Sequence, residues 1–212
     1  MSINRQLVNI QSMYSKNIKS KGVTSESVGW STKEGHALRY KKLTQVIDPE
    51  DISFSVNDFG CGYAGLIKFL EQDLLFSVSE YNGYDISSEM LEAAAGYISS
   101  SNIKARINLL NNDCLQSSAD YSFVCGTFNV KFDATDAEWE IYIRNKIIEL
   151  SLNSVKGFSF NLLSTFVDWK KPNLYYGNPS LWFEFCKNHI SNKVSLLHDY
   201  PLWEWTILVY KD

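Results

Sequence analysis

Helical and extended spacings of apolar residues alternate along this chain from about residue 31 onward. The first 30 residues are polar, with Ser, Lys and Asn prominent, and predict a loose arm or short helix, an N-terminal arm or lid spanning 1–30. Ser31-Thr32-Lys33-Glu34 then matches a capping box, Ser31 the cap and Glu34 its partner three positions on. The helix it opens carries Tyr40, Leu43 and Ile47, and Asp48-Pro49 stops it. Strand and helix patterns follow in turn: strand 54–59, helix 63–72, strand 81–86, a helix from about Ser88, strand 105–110 and strand 121–125. A long helix with Trp139, Ile143, Ile147 and Leu150 on one stripe leads to a strand over 157–163. An irregular stretch, 164–178, precedes a helix from Pro179 to about His189, with proline in its first turn. Val194–Leu197 and Trp205–Tyr210 close the chain as a strand pair. This order predicts an α/β fold: a doubly wound, seven-stranded, mostly parallel sheet with a C-terminal antiparallel strand.

Ligands of such sheets bind beyond the carboxyl ends of the strands, near the point where strand order reverses. The run from Val56 to Gly65, VNDFGCGYAG, places a carboxylate, Asp58, at a strand end and a small-residue turn directly after it. Glycines there let backbone N–H groups approach a ligand closely. A second acidic strand end, Asp85, lies 27 residues beyond Asp58, and Asp113 follows the third strand. Two carboxylates at successive strand ends beside a glycine turn suit a nucleoside ligand with ribose hydroxyls.

Composition narrows the picture. The 212 residues fit one large domain, and a net charge of −4, from 20 basic and 24 acidic residues, gives no positive field for nucleic acid. The basic residues are scattered, with adjacent pairs only at Lys41-Lys42 and Lys170-Lys171. No apolar run reaches the roughly 18–20 residues of a membrane span, and the N-terminus lacks the apolar core of a signal peptide. Cys61, Cys114, Cys125 and Cys186 show no metal-type pairing, so disulfides and structural zinc are not expected and a reducing cytoplasm is. His36, His189 and His198 lie too far apart in sequence to suggest a metal constellation.

Asp58-x-Gly60-x-Gly62, with Asp85 ending strand two and Asp113 after strand three, resembles the class I S-adenosylmethionine (SAM)-dependent methyltransferases. The resemblance covers roughly residues 30–210, as pattern and order of elements, and makes 31–212 the SAM-binding domain of a Rossmann-like methyltransferase fold. It implies that the turn Gly60-Cys61-Gly62 passes beneath the methionine part of the cofactor and that Asp85 binds the ribose hydroxyls. Asp113, with Cys114 beside it, would approach the adenine amino group, and Ile86 would cover an adenine face. Gly126, Thr127, Phe128 and Asn129 would line the passage to the reactive methyl. The usual third glycine is Ala64 here. Asn129 does not stand in an Asn-Pro-Pro-Tyr/Phe sequence, which removes the main support for methylation of a DNA base. The implied reaction is displacement from a sulfonium whose leaving group is neutral, so positioning dominates. A small-molecule or glycan-precursor acceptor is expected.

Catalytic candidates rest on location alone. His36 lies on the capped helix that can roof the site, Arg39 one turn further can pair with the cofactor's carboxylate, and Tyr14 on the arm can close over it. Asp168 and Tyr176 belong to the long aromatic loop after strand five, on the ligand side. Two other readings stand beside this one. Gly60-x-Gly62-x-x-Gly65 also satisfies the dinucleotide fingerprint of NAD-dependent Rossmann oxidoreductases. Asp58 before the turn, the acid after strand three and the lack of a separate substrate domain weigh against that. A fold relative that binds a nucleoside ligand or a partner protein without turnover is the other alternative.

Overall fold

The computed structural model describes residues 3–211. Of the loose arm or short helix expected at the N-terminus, the structure has a helix, and a long one. Ile3–Lys21 is a continuous 19-residue helix, α1, because Ile3, Leu7, Ile10, Tyr14 and Ile18 recur at helical spacing within an otherwise polar segment. Its apolar face packs against the main core. Ser15 Oγ meets Ser87 Oγ at 2.8 Å and donates to Glu89 at 2.7 Å, while Lys19 pairs with Glu89 at 2.7 Å. One polar residue is out of place: Gln6 of α1 is fully buried, and neither atom of its carboxamide meets a protein partner. An unpaired buried amide costs about 1–3 kcal/mol. Gln6→Leu, nearly the same shape, is therefore expected to raise the melting temperature by a few degrees, as calorimetry would show; a lower melting temperature would reveal a polar partner.

Helix α2, Lys33–Leu43, begins one residue later than expected. The cap is Thr32, whose hydroxyl accepts from the Gly35 N–H at 3.0 Å, and not Ser31. Strand β1 covers Ser53–Phe59, and α3 is a single turn, Gly65–Lys68, that widens into a π-turn over Phe69–Asp73. The helix expected from residue 63 cannot start so early because Ala64 sits in the left-handed region at φ 61°. The remaining elements are β2 (Ser77–Asp85), α4 (Ser88–Ser99), β3 (Arg106–Asn111), β4 (Ala119–Val124), α5 (Asp136–Leu152), β5 (Ser154–Ser164), β6 (Tyr176–Gly177), α6 (Pro179–His189), β7 (Lys193–Leu197) and β8 (Glu204–Tyr210).

The sheet runs β3-β2-β1-β4-β5-β8-β7, with the two-residue β6 paired to the end of β5. All pairings on this path are parallel except those of β8, antiparallel to both β5 and β7. The expected seven-stranded sheet is thus present, with β6 as an addition that the aromatic loop contributes. Both faces are covered, as a buried parallel sheet requires. Tyr84 and Phe59 belong to the cluster with α5 and α6, while Tyr81 and Val56 belong to the cluster with α2 and α3. Strand order reverses between β1 and β4, so the carboxyl ends of β1, β2 and β4 share one edge. That edge carries the site.

Candidate active site

Two cavities flank the glycine turn. The larger, about 700 Å³ counting the space open to solvent, lies between α1 and the strand ends. Its walls include Gly60, Gly62, Asp85, Ile86, Asp113 and Gly126, and α1 roofs it with Leu7, Ile10 and Tyr14. The smaller, of about 290 Å³, lies toward α2 and is lined by His36, Tyr40, Asp58, Cys61 and Tyr63 among others. Val28, Gly60, Gly62 and Cys125 are common to both walls.

The turn is built by β2. Tyr84 carbonyl accepts from the N–H groups of Gly60 and Cys61, at 2.8 and 2.9 Å. Asp85 completes it: one carboxylate oxygen accepts from Gly62 N–H at 2.9 Å, the other from Ser87 N–H at 2.8 Å. Gly62 has φ 54°, and a Cβ there would stand 2.8 Å from Val28 Cγ1. Its glycine is thus required by backbone conformation and by the wall formed by Val28, beyond any demand from a ligand.

Both acids of the turn hold protons unusually well. Burial raises the Asp85 carboxyl to about 6, against the lowering influence of its backbone donors. Burial takes Asp58 to about 7, opposed by a 2.6 Å hydrogen bond from the Tyr81 hydroxyl and assisted by the nearby Asp85. Tyr14 is raised to about 12, by burial first and then by Asp85. His36 is lowered to about 3, by burial and then by Arg39, so its imidazole is neutral at ordinary pH. It meets Tyr63 hydroxyl at 3.4 Å through Nδ1 and packs on the Tyr40 ring, 4.5 Å between centroids.

Among the residues singled out from sequence, Asp85, Ile86, Asp113 and Gly126 converge on the larger cavity, and Asp58, Cys61 and His36 on the smaller. Others do not reach either wall. Arg39, expected to meet a carboxylate of the ligand, is held instead by Glu204: its Nε donates to both carboxylate oxygens at 2.9 Å. Cys114 is exposed and its thiol lies 3.4 Å from Lys146 Nζ, which also donates to the Asp113 carbonyl. Asp168 lies on the exposed part of its loop. Tyr176 uses its hydroxyl to accept from Lys171 N–H at 3.0 Å. Of the stretch after β4, Gly126 and Thr127 line the larger cavity. Phe128 turns into the core, and Asn129 accepts from Leu163 N–H at 3.2 Å.

Several wall residues carried no signal as site residues. Val28 and Trp30 come from the short 3₁₀ turn Ser25–Val28 and the link before α2. Trp139 and Tyr142, one turn apart on α5, read as ordinary core positions yet border the larger cavity. Among the described residues, no group of three or more His, Cys, Asp or Glu is placed to hold a metal ion. No helix among them is long and apolar enough to cross a membrane.

Comparison with known proteins bears directly on this geometry. No family model matches the chain. A curated Mycobacterium tuberculosis protein, named "Putative methyltransferase Rv1506c", is 38% identical over 172 residues, covering 80% of this chain and 98% of the relative. Among solved structures, magnesium protoporphyrin IX methyltransferase (ChlM) from Synechocystis PCC 6803 with bound SAM aligns over 98% of this chain and 97% of its own, with TM-score 0.67 and 12% identity. The plantazolicin methyltransferase BpumL in complex with S-adenosylhomocysteine (SAH) aligns over 99% of both chains, with TM-score 0.59 and 11% identity. The distant structures share the fold, and the closer sequence relative carries the assignment. A glycine turn bounded by acidic strand ends at the reversal point of the sheet, together with that relative, places the chain in the class I SAM-dependent methyltransferases.

Proposed function

We propose that the chain transfers a methyl group from SAM to a small-molecule or glycan-precursor acceptor, with the adenosine of the cofactor in the larger cavity. The observation that carries this reading is the cavity itself, which opens at the reversal point with Asp85 and Asp113 on its wall. The residues fit the group. Asp85 would take the ribose hydroxyls, Asp113 the adenine amino group, and Ile86 one face of the ring. The methionine end would run along Gly60–Gly62 toward the smaller cavity and Asp58. ChlM and BpumL, by their names, methylate magnesium protoporphyrin IX and plantazolicin, and such neighbours support a small-molecule acceptor.

SAM supplies an electrophilic methyl on a positively charged sulfur; the chain's residues bind, orient and exclude water. Holding two reactants in register contributes about 7–11 kcal/mol in favourable cases. Helix α1 covers part of the larger cavity, and the N-terminal arm would serve as its lid. Of the three candidate bases only His36 reaches a cavity wall, and its burial disfavours the imidazolium a base must become. His36 is better suited to orienting a ligand through neutral hydrogen bonds. The test is a calorimetric titration with SAM and with NAD, followed by transfer of labelled methyl to candidate extracts. Binding of SAM with transferred label supports the reading; binding of NAD with no response to SAM overturns it.

A pH dependence follows from the two acids. Their raised values mean the folded chain binds more protons than the unfolded one between the ordinary carboxylate range and about pH 7. Stability of the ligand-free protein therefore falls as pH rises through that window and levels off above it. A cationic ligand beside the acids favours their ionised forms, so SAM should bind more tightly above the window than below it. SAH, which lacks the sulfonium charge, should respond less. Equal pH responses for the two ligands in calorimetry would count against this placement.

A further inference from the structure

Beside the two cavities lies a closed ring of contacts, most of them polar and buried, from five chain segments. Arg39 of α2 grips Glu204 at the start of β8, through Nε and one terminal nitrogen. Glu204 accepts from Asn161 Nδ2 of β5 at 2.7 Å, and Asn161 Oδ1 in turn accepts from the Gly126 N–H at 2.7 Å. Trp30 closes the ring. The Arg39 guanidinium stacks 3.7 Å above its indole, and the indole edge occupies the space where a Gly126 Cβ would be, 2.3 Å from that position. Glu204 and Asn161 are 1% and 0% exposed, and Arg39 only 9%, so the pair is desolvated. A buried ion pair is weak evidence for stability, since apolar replacements of both partners are often neutral or stabilising. Here each partner ends on a residue of the ligand-facing wall: Glu204 reaches Gly126 through Asn161, and Arg39 reaches Trp30 directly.

We propose that Arg39 and Glu204 are positioning residues for the methyl transfer, fixing the Gly126 turn on the wall of the larger cavity and the Trp30 indole on the wall of the smaller one. This rests on the reading that the two cavities hold the cofactor. Gly126, at φ 72°, has the freedom to swing; the hydrogen bond from its N–H and the ring pressed on its open face remove that freedom. Lysine cannot replace Arg39 here, because it offers neither a planar face for Trp30 nor a fork for Glu204.

The test separates wall geometry from stability. Dissociation constants for SAH are measured by calorimetry well below the melting temperature, where every variant that folds is fully folded. Arg39→Lys is expected to bind SAH about tenfold more weakly than wild type. The charge-free pair Arg39→Met with Glu204→Gln is expected to melt close to wild type and still bind about tenfold more weakly. In the ligand-free protein the Gly126 amide should exchange with solvent faster in the charge-free pair than in wild type. A merely structural ion pair would move the melting temperature alone. If whichever variants fold bind SAH within twofold of wild type, the positioning role is wrong. If wild-type protein itself fails to bind SAH, the placement of the cofactor falls instead.

Discussion

Asp85→Ala is expected to weaken SAH binding by about 1.5–3 kcal/mol, the range for hydrogen bonds to a charged group, or roughly 10- to 150-fold in the dissociation constant. The carboxylate stands on the wall of the larger cavity at the end of β2, with each oxygen already accepting one backbone N–H. A carboxylate oxygen has capacity for a second donor, which leaves room for ribose hydroxyls. Alanine removes that contact and also strands the Gly62 and Ser87 N–H groups, so the turn loosens as well. Asp85→Asn separates the two effects. It keeps the shape and one acceptor oxygen but turns an amide donor toward a backbone donor or a ligand hydroxyl, and its loss should be smaller than that of alanine. Unchanged affinity in calorimetry for both variants would remove Asp85 from the site.

Gly62→Val should abolish measurable SAH binding. A β-branched residue at φ 54° is a backbone outlier costing about 1–3 kcal/mol. Its Cβ would also press on Val28, 2.8 Å away, and Val28 lines both cavities. The disturbance therefore reaches the ligand through a displaced wall and a lost Gly62-to-Asp85 hydrogen bond, and not only through atoms placed in ligand space. The sheet has no part in that clash, so the far-ultraviolet circular dichroism of the variant should stay close to wild type. Adding Val28→Ala relieves the contact but not the strained φ, and should restore binding only in part. A Gly62→Val protein that binds SAH normally would make the turn a structural connection alone.

The sheet and most of its helices could be read from the sequence because each rests on local spacing. The buried runs at β1, β2 and β4 and the apolar stripe of α5 announce themselves over a few residues. The glycine turn and Asp85 were legible for a related reason: in a doubly wound sheet, topology alone carries successive strand ends to one edge. Helix α1 was hidden by composition. Its polar residues dominate the count, yet Leu7, Ile10 and Tyr14 form the roof of the larger cavity. At α2 the capping-box spacing pointed to Ser31, but the adjacent hydroxyl of Thr32 takes the cap by accepting from Gly35 N–H. Arg39 shows what spacing cannot reveal. Its partner Glu204 stands 165 residues away, joined by the pairing of β5 with β8 and by nothing local. Cys114 and Asp113 are neighbours in sequence, but the Lys146 contact and the turn of the chain leave the thiol outside while Asp113 faces the cavity.

The most direct test of the central claim is a crystal structure of the protein soaked with SAH. Ligand density under α1, with ribose hydroxyls on Asp85 and the adenine edge at Asp113, is the predicted result. Density elsewhere, or a ribose out of hydrogen-bonding reach of Asp85, would contradict it.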